Sequence, residues 1–521
     1  MSRFLSRVFA ALLAGGLVLS GCSMTPSMPA PEAEQALPET FAPAPGDTLL
    51  PTAAVDTARL DARRWWTAFG DSTLTALVDT AVAANLDLAA AQARVEELAA
   101  QFRIARAPLF PGVNANGQYS YQNQPANTGI GGAIGGGGGG GGGNGSSGGG
   151  GSPGGGGQQA QAVPDRFSFS TYEATLGLSY EIDFWGRVRS QRKAALKQYF
   201  ATAADLQTAR LSVISQTIGT YAQVVSLRRQ VALGRERIAL LEQRLAITED
   251  RYARGLASSF QLFTVRQNLE AVRADQPPLE SQLYDARAQL STLLGRFAGR
   301  GPSPLPDSTA LSLDLAPVPA GLPADLLMQR PDVRASALRL EAARQQIGVA
   351  RAEMLPSLSL TGTGGTQSSD LASLVDLDQR FANFAAQLTA PLFQGGRLRA
   401  NVDAAEARYR QQAARYEQTV LTAFREVKAA LVADAKQRQR LDEVRRQVAS
   451  ARASFRTQRD RYERGIGDVL SLLDAERGLV QARTRLAAAR QAAVNARLAL
   501  HRALGGPWTD AAPVDDPRLF D

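Results

Sequence analysis

Two stretches of 67 residues without a proline, Arg187–Ala253 and Arg397–Glu463, constrain this chain more than any other feature. At about 1.5 Å per residue each predicts a helix roughly 100 Å long, too long for a compact domain to enclose. The two are related by duplication. Asp250-Arg251-Tyr252-Ala253-Arg254-Gly255 recurs 210 residues later as Asp460-Arg461-Tyr462-Glu463-Arg464-Gly465. The same offset carries Gly186-Arg187 onto Gly396-Arg397 and Leu294-Gly295 onto Leu504-Gly505. Upstream the offset is 245: Asn85-Leu86-Asp87-Leu88 aligns with Arg330-Pro331-Asp332-Val333, and Pro111 with Pro356. The 35-residue difference falls between Pro111 and Gly186, where 21 of the 48 glycines crowd into residues 129–157. That stretch is an insertion in one repeat only. Its Gly150-Gly151-Ser152-Pro153-Gly154 matches a nucleophile elbow in letters but lacks the strand before and the helix after that such an elbow needs.

Each repeat reads as helix, two strands, long helix, turn and shorter helix. Helices are predicted over 71–105 and 323–355 before the strands, and over 258–295 and 468–505 after the turns. Gly255 and Gly465 suit left-handed stops, and Ser258 and Asp468 suit the N-caps that follow. Val402, Ala405, Tyr409, Ala413, Tyr416, Val420, Phe424, Val427 and Leu431 recur near a 3.6-residue period and mark one core face. Leu441, Val444, Val448, Ala451 and Phe455 step 3-4-3-4, the spacing of a supercoiled pair. Pro277-Pro278 stands where the second repeat has Ala487-Ala488 and predicts a kink or break. Strand candidates at 113–121, 172–184, 357–363 and 384–392 alternate apolar with polar residues. Their lengths approach the roughly 9–11 residues of a tilted transmembrane strand. Bilayer-spanning sheets have no free edge and begin at about eight strands, so four spanning strands require further copies of the chain.

The first 21 residues carry Arg3 and Arg7 and an apolar run over 8–19, too short for the roughly 20 residues of a spanning helix but suited to a signal peptide. The run ends Leu19-Ser20-Gly21-Cys22, which resembles a bacterial lipobox. It implies removal of residues 1–21, lipid on Cys22, and outer-membrane sorting because Ser23 rather than Asp follows. Residues 22–60 are rich in proline and alanine and read as an extended tether. Cys22 is the one cysteine and His501 the one histidine, which excludes a disulfide framework, Cys/His zinc sites and Cys–His catalysis. No metal, and no cofactor beyond the covalent lipid, is expected. The net charge of +8 is spread among alternating acids and bases along helical stretches, so nucleic acid is not expected as a partner.

Together these segments resemble the TolC-like outer-membrane factors, in the lipoprotein branch that serves tripartite, RND-type efflux pumps. The resemblance runs through Trp65-Trp66 with Phe69, Asn85-Leu86-Asp87-Leu88, Arg330-Pro331-Asp332-Val333, Ile347-Gly348-Val349-Ala350-Arg351-Ala352 with Pro356, and Arg461-Tyr462-Glu463-Arg464-Gly465 with Leu472-Leu473-Asp474-Ala475. It implies a mainly α chain with a transmembrane β part. Three copies would complete a 12-stranded β-barrel in the outer membrane and a long α-helical barrel in the periplasm, with two repeats per chain. The implied divisions are a first repeat over 61–300 with its loop insertion at 125–160, an equatorial linker at 301–322, a second repeat over 323–506 and a tail at 507–521. Carried onto this chain, the adaptor-docking tips are Arg251, Tyr252, Gly255, Arg461, Tyr462 and Gly465, and the periplasmic gate is Leu470, Asp474 and Arg477. The implied partners are a homotrimer, outer-membrane lipid, a periplasmic adaptor and an inner-membrane pump, and the implied activity is passage of drugs or metals rather than catalysis. The same fold could serve type I protein secretion. A coiled-coil lipoprotein scaffold would account for the helices and the anchor but not for the amphipathic strands.

Overall fold

A computed structural model describes residues 23–29, 64–125, 166–299 and 324–506. The signal peptide with Cys22, the glycine-rich insertion, the linker at 301–322 and the tail at 507–521 lie outside the described residues. The chain divides into two compact units. Among the described residues, one holds 106–125, 166–189 and 352–396, and the other holds 24–29, 64–105, 190–299, 324–351 and 397–506.

The first unit is a four-stranded antiparallel sheet in the order β1 (Gly112–Pro125), β2 (Arg166–Ile182), β3 (Ser357–Ser368), β4 (Arg380–Thr389). The register sets Val113 opposite Leu178, Ala115 opposite Leu176 and Tyr119 opposite Tyr172. It continues the same face through Leu178 opposite Gly362, Leu358 opposite Leu388 and Gly362 opposite Phe384. Asn114, Asn116, Thr175, Thr361, Asn383 and Gln387 fall on the other face, as period-two alternation requires. The apolar face is uncovered: Phe384 is 85% exposed, Val113 70% and Leu388 69%. The strands are longer than the alternation alone marked, but β2 ends at Ile182, short of the expected 184, and β4 stops at Thr389, ahead of Pro391, which has no N–H for a ladder. Beyond β2, Trp185 Nε1 donates to Pro356 O at 2.8 Å, and the Asp183 carboxylate accepts from the backbone N–H groups of Val188 and Arg189 at the start of the next helix.

The second unit is helical. It comprises α1 (Ser72–Ala84), α2 (Leu86–Arg106), α3 (Arg187–Ala253), α4 (Ser259–Leu293), α5 (Pro331–Ala352), α6 (Arg397–Glu463) and α7 (Val469–Ala503). Both long helices have the expected 67 residues. Ile214, Ile218, Tyr221 and Val224 of α3 pack against Leu74, Leu77 and Val78 of α1 and against Leu283, Ala286 and Leu290 of α4. The shorter helices therefore share one long partner. All nine core positions expected in α6 lie in two apolar clusters with α5 and α7. Among the described residues no single helix is long and apolar enough to cross a membrane.

Three expectations are corrected. The helix predicted over 71–105 is two helices bent by 42° at Asn85, whose side-chain Oδ1 accepts from the N–H groups of Asp87 and Leu88 while Nδ2 donates to Leu293 O. At the matching position Arg330 separates a 3-10 turn (Ala324–Gln329) from α5 and donates to Ala503 O at 2.7 Å. A polar side chain that reaches the end of the returning helix stabilises each break. Burial alone would lower the Arg330 pKa, but ion pairs with Asp332 at 2.7 Å and Glu426 at 2.9 Å outweigh it and raise the pKa.

The second correction concerns Pro277-Pro278, which does not break α4. The pair deprives the carbonyls of Arg273 and Ala274 of helical donors. Cross-helix contacts on both sides hold the segment on α3: Arg273 to Glu242 at 2.7 Å, Arg235 to Glu280 at 2.8 Å, and Gln276 Nε2 to Val231 O at 3.3 Å. Third, residues 23–29 have no regular structure, as a tether would not, yet they are docked on the helices through Thr25 and Met28.

Candidate functional site

The two helical turns are built alike. Gly255 and Gly465 have φ of 70° and 74°, the left-handed region that glycine enters without a Cβ penalty. In the first turn Gly255 N donates to Tyr252 O and Leu256 N to Arg251 O, and in the second Gly465 N donates to Tyr462 O and Ile466 N to Arg461 O. This pair of hydrogen bonds closes each long helix. The next helix starts at once: Ser258 forms a capping box with Gln261, and Asp468 accepts from Leu470 N at 3.0 Å.

The predicted tip residues do not have equivalent surroundings. Arg251, Tyr252, Gly255, Arg461 and Gly465 are exposed, whereas Tyr462 is half-buried against Leu241, Val265, Leu269, Val469 and Leu473. Arg251 Nη1 reaches the Tyr462 hydroxyl at 3.4 Å, so the two turns touch. Leu256 and Ile466 project at the turns, each 68% exposed.

Leu470, Asp474 and Arg477 occupy the first turns of α7. Asp474 is 76% exposed and lies 3.8 Å from Arg477, an exposed i,i+3 pair that contributes about 0–1 kcal/mol. Arg477 Nη2 also donates to Asn268 Oδ1 of α4 at 2.9 Å. Next to this trio is a pair that the repeat pattern did not single out. Glu476 is buried and accepts from Arg244 of α3 at 2.7 Å. Its signal in the sequence is a carboxylate inside the apolar series Val469, Leu472, Leu473 and Leu479.

The hairpins differ in how they are fastened. Towards the first turn α3 and α4 are joined by Arg235–Glu280, Arg273–Glu242 and Arg266–Glu249. In the second hairpin the buried pair Asp434–Arg497, at 2.9 Å, joins α6 to α7. Among the described residues no ion pair joins these two helices between residue 434 and the second turn. There α7 is tied to the first hairpin instead, through Arg244–Glu476 and Arg477–Asn268. Burial lowers the pKa of the nearby Arg237, and the neighbouring Glu476 partly restores it.

At the other end of α7, His501 stacks on Trp65 with ring centres 4.2 Å apart. Burial pushes its pKa down to about 3, and the nearby Arg497 pushes the same way. Among the described residues no group of three or more His, Cys, Asp or Glu side chains converges to hold a metal.

Comparison with known proteins gives the family of the chain. The antibiotic efflux pump outer membrane protein ArpC of Pseudomonas putida is 31% identical over 493 residues, 94% of each chain. The pyoverdine export outer membrane protein OpmQ of the same species is 32% identical over 469 residues, covering 89% of this chain and 92% of its own. The solved structure of the Campylobacter jejuni CmeC outer membrane channel superposes with a TM-score of 0.79 at 25% identity, over 93% of this chain and 95% of that one. The model of the outer membrane efflux protein family matches residues 77–296 and 322–506, and the chain belongs to that family of outer-membrane channels.

Proposed function

We propose that this chain is the outer-membrane conduit of a tripartite efflux pump and that it works as a trimer. Three copies would close a 12-stranded barrel, within the range known for outer-membrane barrels, and their long helices would form a periplasmic tube. The observation that carries this reading is the four-stranded sheet, which among the described residues has unpaired edges at β1 and β4 and an uncovered apolar face. Unpaired backbone groups are not tolerated in lipid, so these edges must meet other strands, while the face carrying Val113, Tyr119, Phe384 and Leu388 suits acyl chains. A coiled-coil scaffold has no use for such a sheet.

In this reading the adaptor docks at Arg251, Tyr252, Gly255, Arg461, Tyr462 and Gly465, and Leu470, Asp474 and Arg477 line the constriction. Three Asp474 side chains near one axis would repel each other and attract cations. Opening would swing the second hairpin, whose described residues form no ion pair between its helices near the turn, away from the first, with Arg244–Glu476 as the main restraint. Cys22 carries the lipid. The likeness to ArpC favours antibiotic-like small molecules as substrates, received from an inner-membrane pump through the adaptor. Native mass spectrometry of the detergent-purified protein should give three protomers, and planar bilayers should show discrete channels. A stable monomer without conductance overturns the proposal.

A further inference from the structure

We propose that residues 23–28 form a clip that seats the lipidated N-terminus at one fixed place on the helical unit, the groove beside Gly348. This inference rests on the lipidation of Cys22 and adds a position to it. Thr25 Oγ1 donates to Gln345 Oε1 at 3.1 Å and lies 3.5 Å from Ser190 Oγ. Ser190 and Gln345 are both buried with Thr25 in place, and Thr25 gives each a polar partner. Three residues on, Met28 packs against the cluster of Ile347, Ala350 and Ala405 with Val402 and Tyr409. The groove exists because residue 348 has no side chain. A Cβ built there would lie 2.6 Å from Thr25 Oγ1 and 3.2 Å from both Thr25 Cα and Ser190 Oγ. The contact thus combines a hydrogen-bonded hydroxyl, an apolar anchor and a backbone approach that only glycine permits.

Cys22 is three residues from Thr25 in the chain, and three extended residues span about 11 Å, so the clip leaves the lipidated residue only a short reach. In this proposal the acyl chains leave the protein beside α5 and α6. A free tether of 22–60 would let them wander.

The test places a nitroxide on Ser27→Cys, an exposed position within the clip, in the full-length protein purified from membranes. The expected spectrum is slow-moving, and Gly348→Leu should raise the ratio of mobile to immobile label about tenfold or more, as loss of one hydrogen bond and the contact of the half-buried Met28 predicts. Met28→Asp should do the same without touching the helices, which covers the case in which Gly348→Leu fails to fold. Wild-type protein is the control for lipidation: its one cysteine takes up nitroxide only if the Cys22 thiol is free. Uptake there would refute the lipid, while the difference spectrum would still report the clip. A mobile nitroxide at Ser27→Cys, or immobilisation that survives both substitutions, overturns the clip.

Discussion

Glu476 is buried among leucines and balanced by Arg244 at 2.7 Å, whereas Asp474 two residues away stands in solvent. The buried pair is the stronger restraint, because removing one partner leaves a shielded charge uncompensated. Glu476→Gln should cost about 1–3 kcal/mol per protomer and raise resting conductance in planar bilayers most. Asp474→Ala should raise it less and weaken block by divalent cations, since Arg477 keeps Asn268 as a partner. Thr264→Ala, at the equivalent place in the first repeat, should change little, because Asn268 bonds the Thr264 backbone carbonyl rather than its hydroxyl. Equal effects from all three would remove the gate assignment.

His501 makes a separate prediction. Its folded pKa of about 3 lies below the unfolded value of 6.5, so the unfolded chain binds more protons between these limits. The stability contribution is complete above pH 6.5 and is lost as pH falls towards 3. His501→Phe keeps an aromatic ring against Trp65 and removes the titration. The thermal midpoint of the variant should therefore fall less between pH 6.5 and 4 than that of the wild type. Parallel pH profiles would show that His501 does not titrate this way.

At the scale of elements, the first hairpin of the sheet is self-sufficient. Pro125 pairs directly with Arg166, so β1 and β2 finish level with each other and a short turn could join them. Their partners β3 and β4 are joined across residues 369–379. Deleting residues 128–158 should leave assembly and efflux intact, since loop length costs little and the strands keep their register. Loss of trimers on native gels would make the segment structural. The helices show the opposite dependence on context. Pro277-Pro278 would break an isolated helix, yet α4 continues because Arg273, Gln276 and Glu280 are bonded to α3 and Val272 and Leu283 are buried.

For the whole molecule, the anchor and the sheet make separable contributions. Cys22→Ser should abolish incorporation of labelled palmitate and reduce outer-membrane sorting, while the helical core still folds on its own apolar clusters. Palmitate on the Cys22→Ser protein would end the lipidation reading. Trimer stability should instead follow the strand edges. A proline within β4 that removes an outward N–H should weaken trimers measured by native mass spectrometry and leave helix content by circular dichroism unchanged.

Periodicity alone determined the long helices, the core face of α6, the strand alternation and the turns at Gly255 and Gly465. Each depends on a repeat along the chain or on a local backbone conformation, and residues a few positions apart suffice to encode it. The breaks at Asn85 and Arg330, the continuity of α4 through two prolines, the half-burial of Tyr462 but not Tyr252, the Arg244–Glu476 pair and the seat of Thr25 at Gly348 were decided by tertiary structure. In each case a side chain is satisfied by a partner far along the chain: Leu293 O for Asn85, Ala503 O for Arg330, Glu242 for Arg273, Gln345 for Thr25. Local propensity carries no record of such partners, because their bonding energy appears only once the helices have packed side by side.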